Sequence, residues 1–407
     1  MYSTTMQKYK RQIWRKLQKE ILTDEIVVIT GPRQVGKTTT LKWLMSQIPG
    51  QNKIYFDLEN LIDRELFEVK DYNSLINELQ NRGLKIDKKM YVFLDEIQLL
   101  PNLPSILKYL YDHYQIKFFL TGSSSYYIKH RFTESMAGRK VVYEMLPLTF
   151  HEFLSFQGVE YAINEEMWWT IKFLDPTYQK LKSYYQEYIE YGGLPRVVLT
   201  NDVQRKKRLL EEIFSSYINI DVQALADFKS TRDLRNVIKL LATRVGNKLN
   251  VTEISNITNL SRITINNYVE FLEQTYLIKT LPAYSRSADV QTRLQKKLYF
   301  VDTGIANVNA DLSTGSKFEN TVHHQLSFLA SLQNGKLSYY ADKTNEIDFI
   351  IDSDQQTIAF EAKVTPTKAN HLKLLRLAHK LKIEKAFLIG KEYSAKFDSF
   401  LWGGQIK

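Results

Sequence analysis

The sequence predicts an α/β protein: a five-stranded, mostly parallel sheet wound with helices, then a helical middle, then a small α/β unit. Three observations predict it. Apolar runs near 26–30, 53–57, 90–95, 116–121 and 140–144 alternate with helical patterns, the order of a doubly wound sheet. The first run leads straight into a glycine-rich loop. The third ends in two carboxylates, at the strand end where open α/β sheets bind ligands.

Composition sets the frame. The chain has 407 residues, 44% hydrophobic and 25% charged, which excludes wholesale disorder and collagen-like repetition. That length predicts about two to four domains. No apolar run approaches the ~18 residues of a membrane helix; the best are Ile26 to Thr30 and Met90 to Leu94. There is no cysteine, so disulfides, thiolate metal sites and cysteine nucleophiles are excluded, and a cytoplasmic location is expected. Net charge is +10, and residues 201–300 alone hold 16 basic and 10 acidic side chains. A basic middle suits a polyanion, or simply a basic protein. The first 19 residues carry Lys8, Lys10, Arg11, Arg15, Lys16 and Lys19 and no acid. They read as a helix packing through Ile13, Leu17 and Ile21.

The β-branched run Ile26 to Thr30 suits a strand buried on both faces. Leu41, Leu44, Met45 and Ile48 then recur at helical spacing. Between them, Gly31, Pro32, Arg33, Gln34, Val35, Gly36, Lys37, Thr38 and Thr39 fit G-x-x-x-x-G-K-[ST], a phosphate-binding loop. Its glycines allow tight backbone geometry, and successive N–H groups at a helix start cradle an anion. Lys37 reaches the β- and γ-phosphates, and Thr38 ligates Mg²⁺. ATP and Mg²⁺ are the expected cofactors.

The second half of such a site is the strand Met90 to Leu94 with Asp95 and Glu96 at its end. Asp95 would hold Mg²⁺ through water, and Glu96 would act as general base. In the strand 116–122, Thr121 and Ser123 stand where a γ-phosphate sensor sits, or they end the strand as turn residues. Arg139 is either an arginine finger, in cis or from a neighbouring subunit of a homo-oligomer, or a surface partner for an acid.

The stretches GPRQVGKTT, YFDLEN (55–60), FLDEIQLLPN (93–102), LTGSSS (120–125), AGR (137–139), LPLTFHEFL (146–154) and YGGLPRVVL (191–199) together resemble a large prokaryotic family of AAA-type ATPases. LPAYSRS (281–287), KLYFVDTG (297–304) and the pair EIDFII and FEAK (346–351 and 360–363) extend the resemblance from about residue 10 to 390. It implies an ATPase domain, a winged-helix segment and a C-terminal domain of unknown function with a restriction-nuclease-like fold. The expected boundaries are 1–150 for the ATPase domain, 151–204 for a helical lid, 205–304 for the winged helix and 312–407 for the C-terminal domain.

The middle supports that reading from its own residues. A helix over 251–257, with Ile254 and Ile257 inward, is followed by a turn. Ser261 then caps a second helix whose core face is Ile265, Tyr268, Val269 and Leu272. Strands near 277–283 and 297–302 form a wing. Helix–turn–helix with a wing is a common DNA reader, and Arg262, Asn266, Lys279, Arg286, Arg293 and Lys296 are the expected contacts. The other reading is that this segment packs internally.

In the C-terminal part, Asp348 and Glu361-x-Lys363 follow the D…E-x-K pattern of PD-(D/E)XK nucleases. With Asp348 opposite Glu361, the carboxylates would bind Mg²⁺, Lys363 would orient water, and Glu319 would complete the site. The alternatives are charged hairpin ends or a decayed site. The adjacent His323 and His324 read as surface residues. The sequence thus predicts an ATP-hydrolysing AAA-type protein acting on or near DNA. An ATP-gated nuclease and a nucleotide-controlled switch without DNA contact are the alternatives.

Overall fold

The computed structural model describes residues 9–69, 71–123, 138–161, 175–222, 230–285, 287–394, 396 and 398–406. Lys8 and Arg286 lie outside the described residues. The chain packs as two compact units. One comprises Met1–Leu146, Ser216–Phe228 and Gln274–Tyr276; the other comprises Pro147–Ser215, Lys229–Glu273 and Leu277–Lys407. Among the described residues, no helix is long and apolar enough to cross a membrane.

The first unit is built on strands β1 (Ile26–Thr30), β2 (Lys53–Asp57), β3 (Met90–Asp95), β4 (Ile116–Gly122) and β5 (Lys140–Glu144). Their order is β2-β3-β4-β1-β5, and every pair is parallel. All five residues of β1 are buried, because a central parallel strand is covered on both faces. Helix α1 spans Trp14–Lys19 and α2 spans Lys37–Gln47. Helices α3 (Tyr72–Asn81) and α4 (Leu103–His113) bury Leu75, Leu79, Ile106, Leu107 and Leu110 against Val28, Val92, Leu94 and Phe118.

The N-terminal segment packs differently from its predicted periodicity. Trp14 and Leu17 are buried in α1, whereas Ile13 and Ile21 are only half-buried. The Trp14 indole stacks on Trp43 at 4.2 Å and donates to Thr40 Oγ1 at 2.9 Å. The large ring, with one hydrogen bond to make, takes the place expected of the smaller aliphatics.

In the second unit, α5 (Phe150–Phe156), α6 (Asp175–Tyr191), α7 (Val203–Ser216) and α8 (Thr231–Ala242) precede a two-helix turn, α9 (Val251–Thr258) and α10 (Arg262–Gln274). Asn259 ends α9 at φ 58°, the left-handed conformation Asn tolerates. Ser261 Oγ accepts from Thr264 N–H at 3.0 Å, as the capping signal predicts. Ile265, Tyr268, Val269 and Leu272 are buried. Ile254 is buried too, but Ile257 is 57% exposed, correcting the expectation that both face inward. Strands β6 (Ile278–Leu281) and β7 (Lys297–Phe300) pair antiparallel.

After β7 come α11 (Thr303–Asn309) and α12 (Thr314–Leu332). A second five-stranded sheet follows: β8 (Lys336–Ala341), β9 (Glu346–Asp352), β10 (Thr357–Lys363), β11 (Lys385–Gly390) and β12 (Phe400–Trp402), in the order β12-β11-β10-β9-β8. β8, β9 and β10 are antiparallel neighbours; β10, β11 and β12 are parallel. Helix α13 (Lys368–Lys380) buries Leu374, Leu377 and Ala378 in the core with Ile350 and Leu388.

Two of the sequence stretches meet in this unit. Asp302 caps α11 by accepting from Ile305 N–H at 3.1 Å, and its other oxygen accepts from Gly193 N–H at 2.8 Å. A side chain at residue 192 would place Cβ 2.2 Å from that carboxylate, and Gly192 sits at φ 74°. Gly192 is therefore required by the buried acid, and Gly193 by the Leu148 carbonyl oxygen, which would lie 2.4 Å from a Cβ there. Burial, against donation from Gly193, Ile305 and Gly304, pushes Asp302 up to about 6.

Candidate nucleotide-binding site

The site is assembled where β1, β3 and β4 end. Gly31 follows β1 at φ 151°, and a Cβ there would sit 2.1 Å from the Met145 carbonyl oxygen. Only glycine lets the loop pass so close to the chain beyond β5. The loop opens α2, an eleven-residue helix that begins at Lys37. Its N-terminus adds partial positive charge to the loop's N–H groups, the arrangement that binds phosphate. Lys37 is buried, and its ammonium donates to the carbonyls of Gly31 and Pro32 at 2.9 Å each. Arg11 Nη1 donates to the Val35 carbonyl and Nη2 to that of Leu146, both at 2.7 Å. The N-terminal segment thus holds the loop from behind.

Asp95 is 2% exposed at the end of β3. Its Oδ1 accepts from the Thr121 hydroxyl, and its Oδ2 accepts from the Tyr55 hydroxyl at 2.9 Å. Burial, reinforced by the Asp95 charge, raises the Tyr55 phenol far above its ordinary value, so Tyr55 remains a donor. Glu96 has φ 57°, a conformation few non-glycine residues adopt. Its N–H donates to Thr121 Oγ1 at 3.2 Å. Gln98 Nε2 donates both to a Glu96 carboxylate oxygen and, at 2.9 Å, to Ser123 Oγ. Glu59 at the end of β2 is pushed up by burial and by Glu96, with Arg33 opposing. The structure therefore gathers Asp95, Glu96, Thr121 and Ser123 in one hydrogen-bonded group. Tyr55 and Gln98 belong to it and were not predicted, although both lie within the YFDLEN and FLDEIQ stretches.

Arg139 is placed elsewhere. Its carbonyl accepts from Ile26 N–H at 2.8 Å, at the beginning of β1 and β5. Its guanidinium pairs with Asp112 at 3.0 and 3.4 Å. The loop follows the far end of β1, five residues or roughly 16 Å away. Arg139 therefore takes the surface-pair alternative, and a finger role in cis does not fit.

A second charged group lies in the C-terminal sheet. Lys363 Nζ is 3.2 Å from Asp348 Oδ2 and 2.8 Å from Glu361 Oε1. The Asp348 N–H donates to Glu361 Oε2 at 3.3 Å, and the Ala362 N–H to Asp348 Oδ2 at 3.0 Å. These three cluster as the strand alternation predicts. A residue the sequence reading passed over joins this group. Lys297 on β7, 2% exposed, lies 2.5 Å from Glu346, 3.2 Å from Glu319 and 3.6 Å from Asp348. Tyr299 also donates to Glu319 Oε1 at 2.8 Å. Among the described residues, no group of three or more carboxylate or imidazole side chains is arranged to hold a metal ion. Glu319, Asp348, Glu361 and Lys363, the residues expected around Mg²⁺, thus share one charged group with Lys297.

The titration directions follow from that count. Burial pulls Lys297 and Lys363 down, but the carboxylates facing each outweigh it and hold both ammoniums above their ordinary value. Burial and the Asp348 charge push Glu361 up to about 7, because two carboxylates share Lys363. His323 and His324 are buried rather than on the surface. His323 stacks on Tyr299 at 4.0 Å, and burial holds it well below its ordinary value.

Of the expected DNA contacts, Arg262, Asn266, Arg293 and Lys296 are exposed. Lys279 is half-buried, and its charge acts on the buried His323.

Residues 23–154 match the model of an AAA domain. Residues 182–316 and 314–398 match two domains of unknown function, DUF8612 and DUF4143. An uncharacterized protein of Methanocaldococcus jannaschii is 29% identical over 362 residues, 86% of this chain and 77% of that one. An uncharacterized protein of Haemophilus influenzae is 27% identical over 389 residues, 91% of this chain and 90% of that one. The Thermotoga maritima RuvB Holliday junction branch migration motor aligns at a TM-score of 0.32 and 15% identity, covering 67% of this chain and 89% of that one; a likeness that distant carries no argument. Residues 23–154, which match the AAA domain model, have a P-loop ATPase-like fold, joined in one chain to two regions that match domains of unknown function.

Proposed function

We propose that this protein binds and hydrolyses ATP and couples that cycle to DNA through its second unit. The observation that carries the ATPase reading is the group Asp95, Glu96, Thr121 and Ser123 at the strand ends beside the Lys37 loop. β4 lies between β1 and β3, so the acids stand about 10 Å across the sheet from the loop, with β4 contributing Thr121 and Ser123 between them. Thr38 and Asp95 are hard oxygen donors and suit Mg²⁺, which would neutralise phosphate charge when bound. Glu96 is the base for the attacking water, and Lys37 holds phosphate in ground state and transition state alike.

DNA contact is supported by the exposed Arg262 and Asn266 on α10 after a capped helical turn, and by Arg293 and Lys296. The test is ATP turnover and nucleotide binding, each measured with and without duplex DNA. Lys37→Ala should lose binding. Glu96→Gln should retain binding and lose about 10²–10⁴-fold in turnover. Turnover by Glu96→Gln at the wild-type rate would remove Glu96 as the base; DNA binding unaltered by charge reversal at Arg262 would remove the DNA role of α10.

A further inference from the structure

We infer that Gln98 is the positioning residue that aims the Glu96 carboxylate, and that it does so on instruction from Ser123. The inference rests on the ATPase reading above. Its starting point is the backbone. Glu96 sits at φ 57° between the end of β3 and a single 3₁₀ turn, Ile97–Leu99. That geometry turns the chain sharply and brings residue 98 back over the strand ends. A left-handed non-glycine residue is strained and persists only where its surroundings hold it. Here Thr121 Oγ1 takes the Glu96 N–H, and the Gln98 side chain takes the carboxylate.

The Gln98 amide is used at both ends. Its Nε2 donates to Glu96 Oε2 and to Ser123 Oγ, and its Oε1 accepts from Ser123 N–H at 3.3 Å. A primary amide has two N–H donors, and both are spent on this bridge. Room for it comes from β4: a Cβ at residue 122 would lie 3.3 Å from Gln98 Oε1 and 3.4 Å from Ile97 Cγ1. Gly122 therefore lets the amide lie across the strand end.

The consequence is that the carboxylate of the base and the hydroxyl of the sensor are tied through one side chain. A phosphate oxygen that draws the Ser123 hydroxyl toward itself changes the acceptor Gln98 sees, and so moves the carboxylate. Hydrolysis then depends on Ser123 being engaged, whereas the loop around Lys37 binds nucleotide without reference to Gln98. Gln98 touches neither phosphate nor water in this scheme and acts only through Glu96.

The experiment uses the full chain and four variants: Gln98→Leu, which is near in volume and cannot donate, Ser123→Ala, the double variant, and Glu96→Gln. Turnover of ATP and affinity for a fluorescent ATP analogue are both measured. Gln98→Leu should lower kcat about 10²-fold, the scale of a displaced catalytic group, and leave the analogue's Kd within about 3-fold. The double variant should lose no more than the larger single loss, since both residues act through one bridge. Losses that multiply, or a Gln98→Leu kcat within about 2-fold of wild type, would overturn the inference while leaving the ATPase reading intact. Wild-type turnover no faster than Glu96→Gln would sink the ATPase reading and this inference with it. If Gln98→Leu fails to fold, Gln98→Asn decides: it keeps the amide one methylene short, and should lower kcat at unchanged Kd.

Discussion

Replacing Lys297 by methionine should unfold the C-terminal sheet locally and leave the nucleotide-binding sheet alone. The Lys297 side chain is 3% exposed, and its ammonium faces Glu319, Glu346 and Asp348 at 3.2, 2.5 and 3.6 Å. Glu346 is 37% exposed, so water screens its share. Asp348 and Glu319 are the costly pair, because removing one partner of a buried ion pair leaves an uncompensated charge, at about 3–5 kcal/mol. Lys363 remains beside Asp348 but already serves Glu361. Hydrogen exchange resolved by peptide is the assay. Amides in β9 and β10 should exchange about 10²–10⁴-fold faster, the exchange equivalent of that loss, while β1 and β4 are unchanged. The penalty should shrink as pH falls, because burial and the Asp348 charge already raise Glu319. A carboxyl whose folded value is raised loses stability as pH rises from its unfolded value towards that folded value, so the penalty is smallest at low pH. Adding Glu319→Gln to the methionine variant should restore part of the protection. Unchanged exchange in β9 and β10, or acceleration equal in both sheets, would refute the account.

Three further outcomes are expected. Wild-type stability should fall by about 3 kcal/mol as pH rises from about 4 to 6 through Asp302, whose folded value is raised; Asp302→Asn should lose that slope in denaturant titrations, although its NH₂ would face backbone N–H donors and lower stability throughout. Arg139→Ala should leave kcat unchanged and cost under about 1 kcal/mol, since the Arg139–Asp112 pair is one-third exposed; a mixture with Lys37→Ala subunits should show no recovered turnover, and recovery would restore the role in trans. Arg262→Ala should weaken duplex binding and reduce the slope of log affinity against log salt by about 1, as read by fluorescence anisotropy.

The nucleotide-binding sheet was legible because its signals are local. A parallel strand buried on both faces is a β-branched run, and Ile26 to Thr30 reads as one without knowing its neighbours. The loop motif fixes where α2 starts, and the acids at the end of β3 fall at the ligand edge by the general rule for open sheets. What the sequence could not order was the edge itself. Arg139 and Thr121 both flank β4 or β5, yet one stands at a strand beginning and the other at a strand end. The polarity of a parallel sheet separates them by the full strand length. Reading Arg139 as preceding β5 already contained that answer, since in a parallel sheet whatever precedes a strand lies opposite the loop that follows one.

The C-terminal charges were harder for a different reason. Asp348, Glu361 and Lys363 sit on two neighbouring strands, and the period of two places them on one face. Charge balance then demanded one more cation. A metal answers that demand from sequence, because nothing within the D…E-x-K stretch supplies another positive group. The group that does, Lys297, comes from β7, some fifty residues before Asp348 in the chain. Its neighbours Leu298, Tyr299 and Phe300 are fully buried, so the apolar run read as a strand, and a lysine leading such a strand is ordinarily exposed. The lysine is instead as buried as the strand, and this is tolerable only because Glu319 and Tyr299 reach it or its partner from α12 and β7. A buried lysine at the head of an apolar strand is thus itself a signal: it requires carboxylates from elsewhere in the fold, and a chain that holds unexplained carboxylates should be searched for such a lysine.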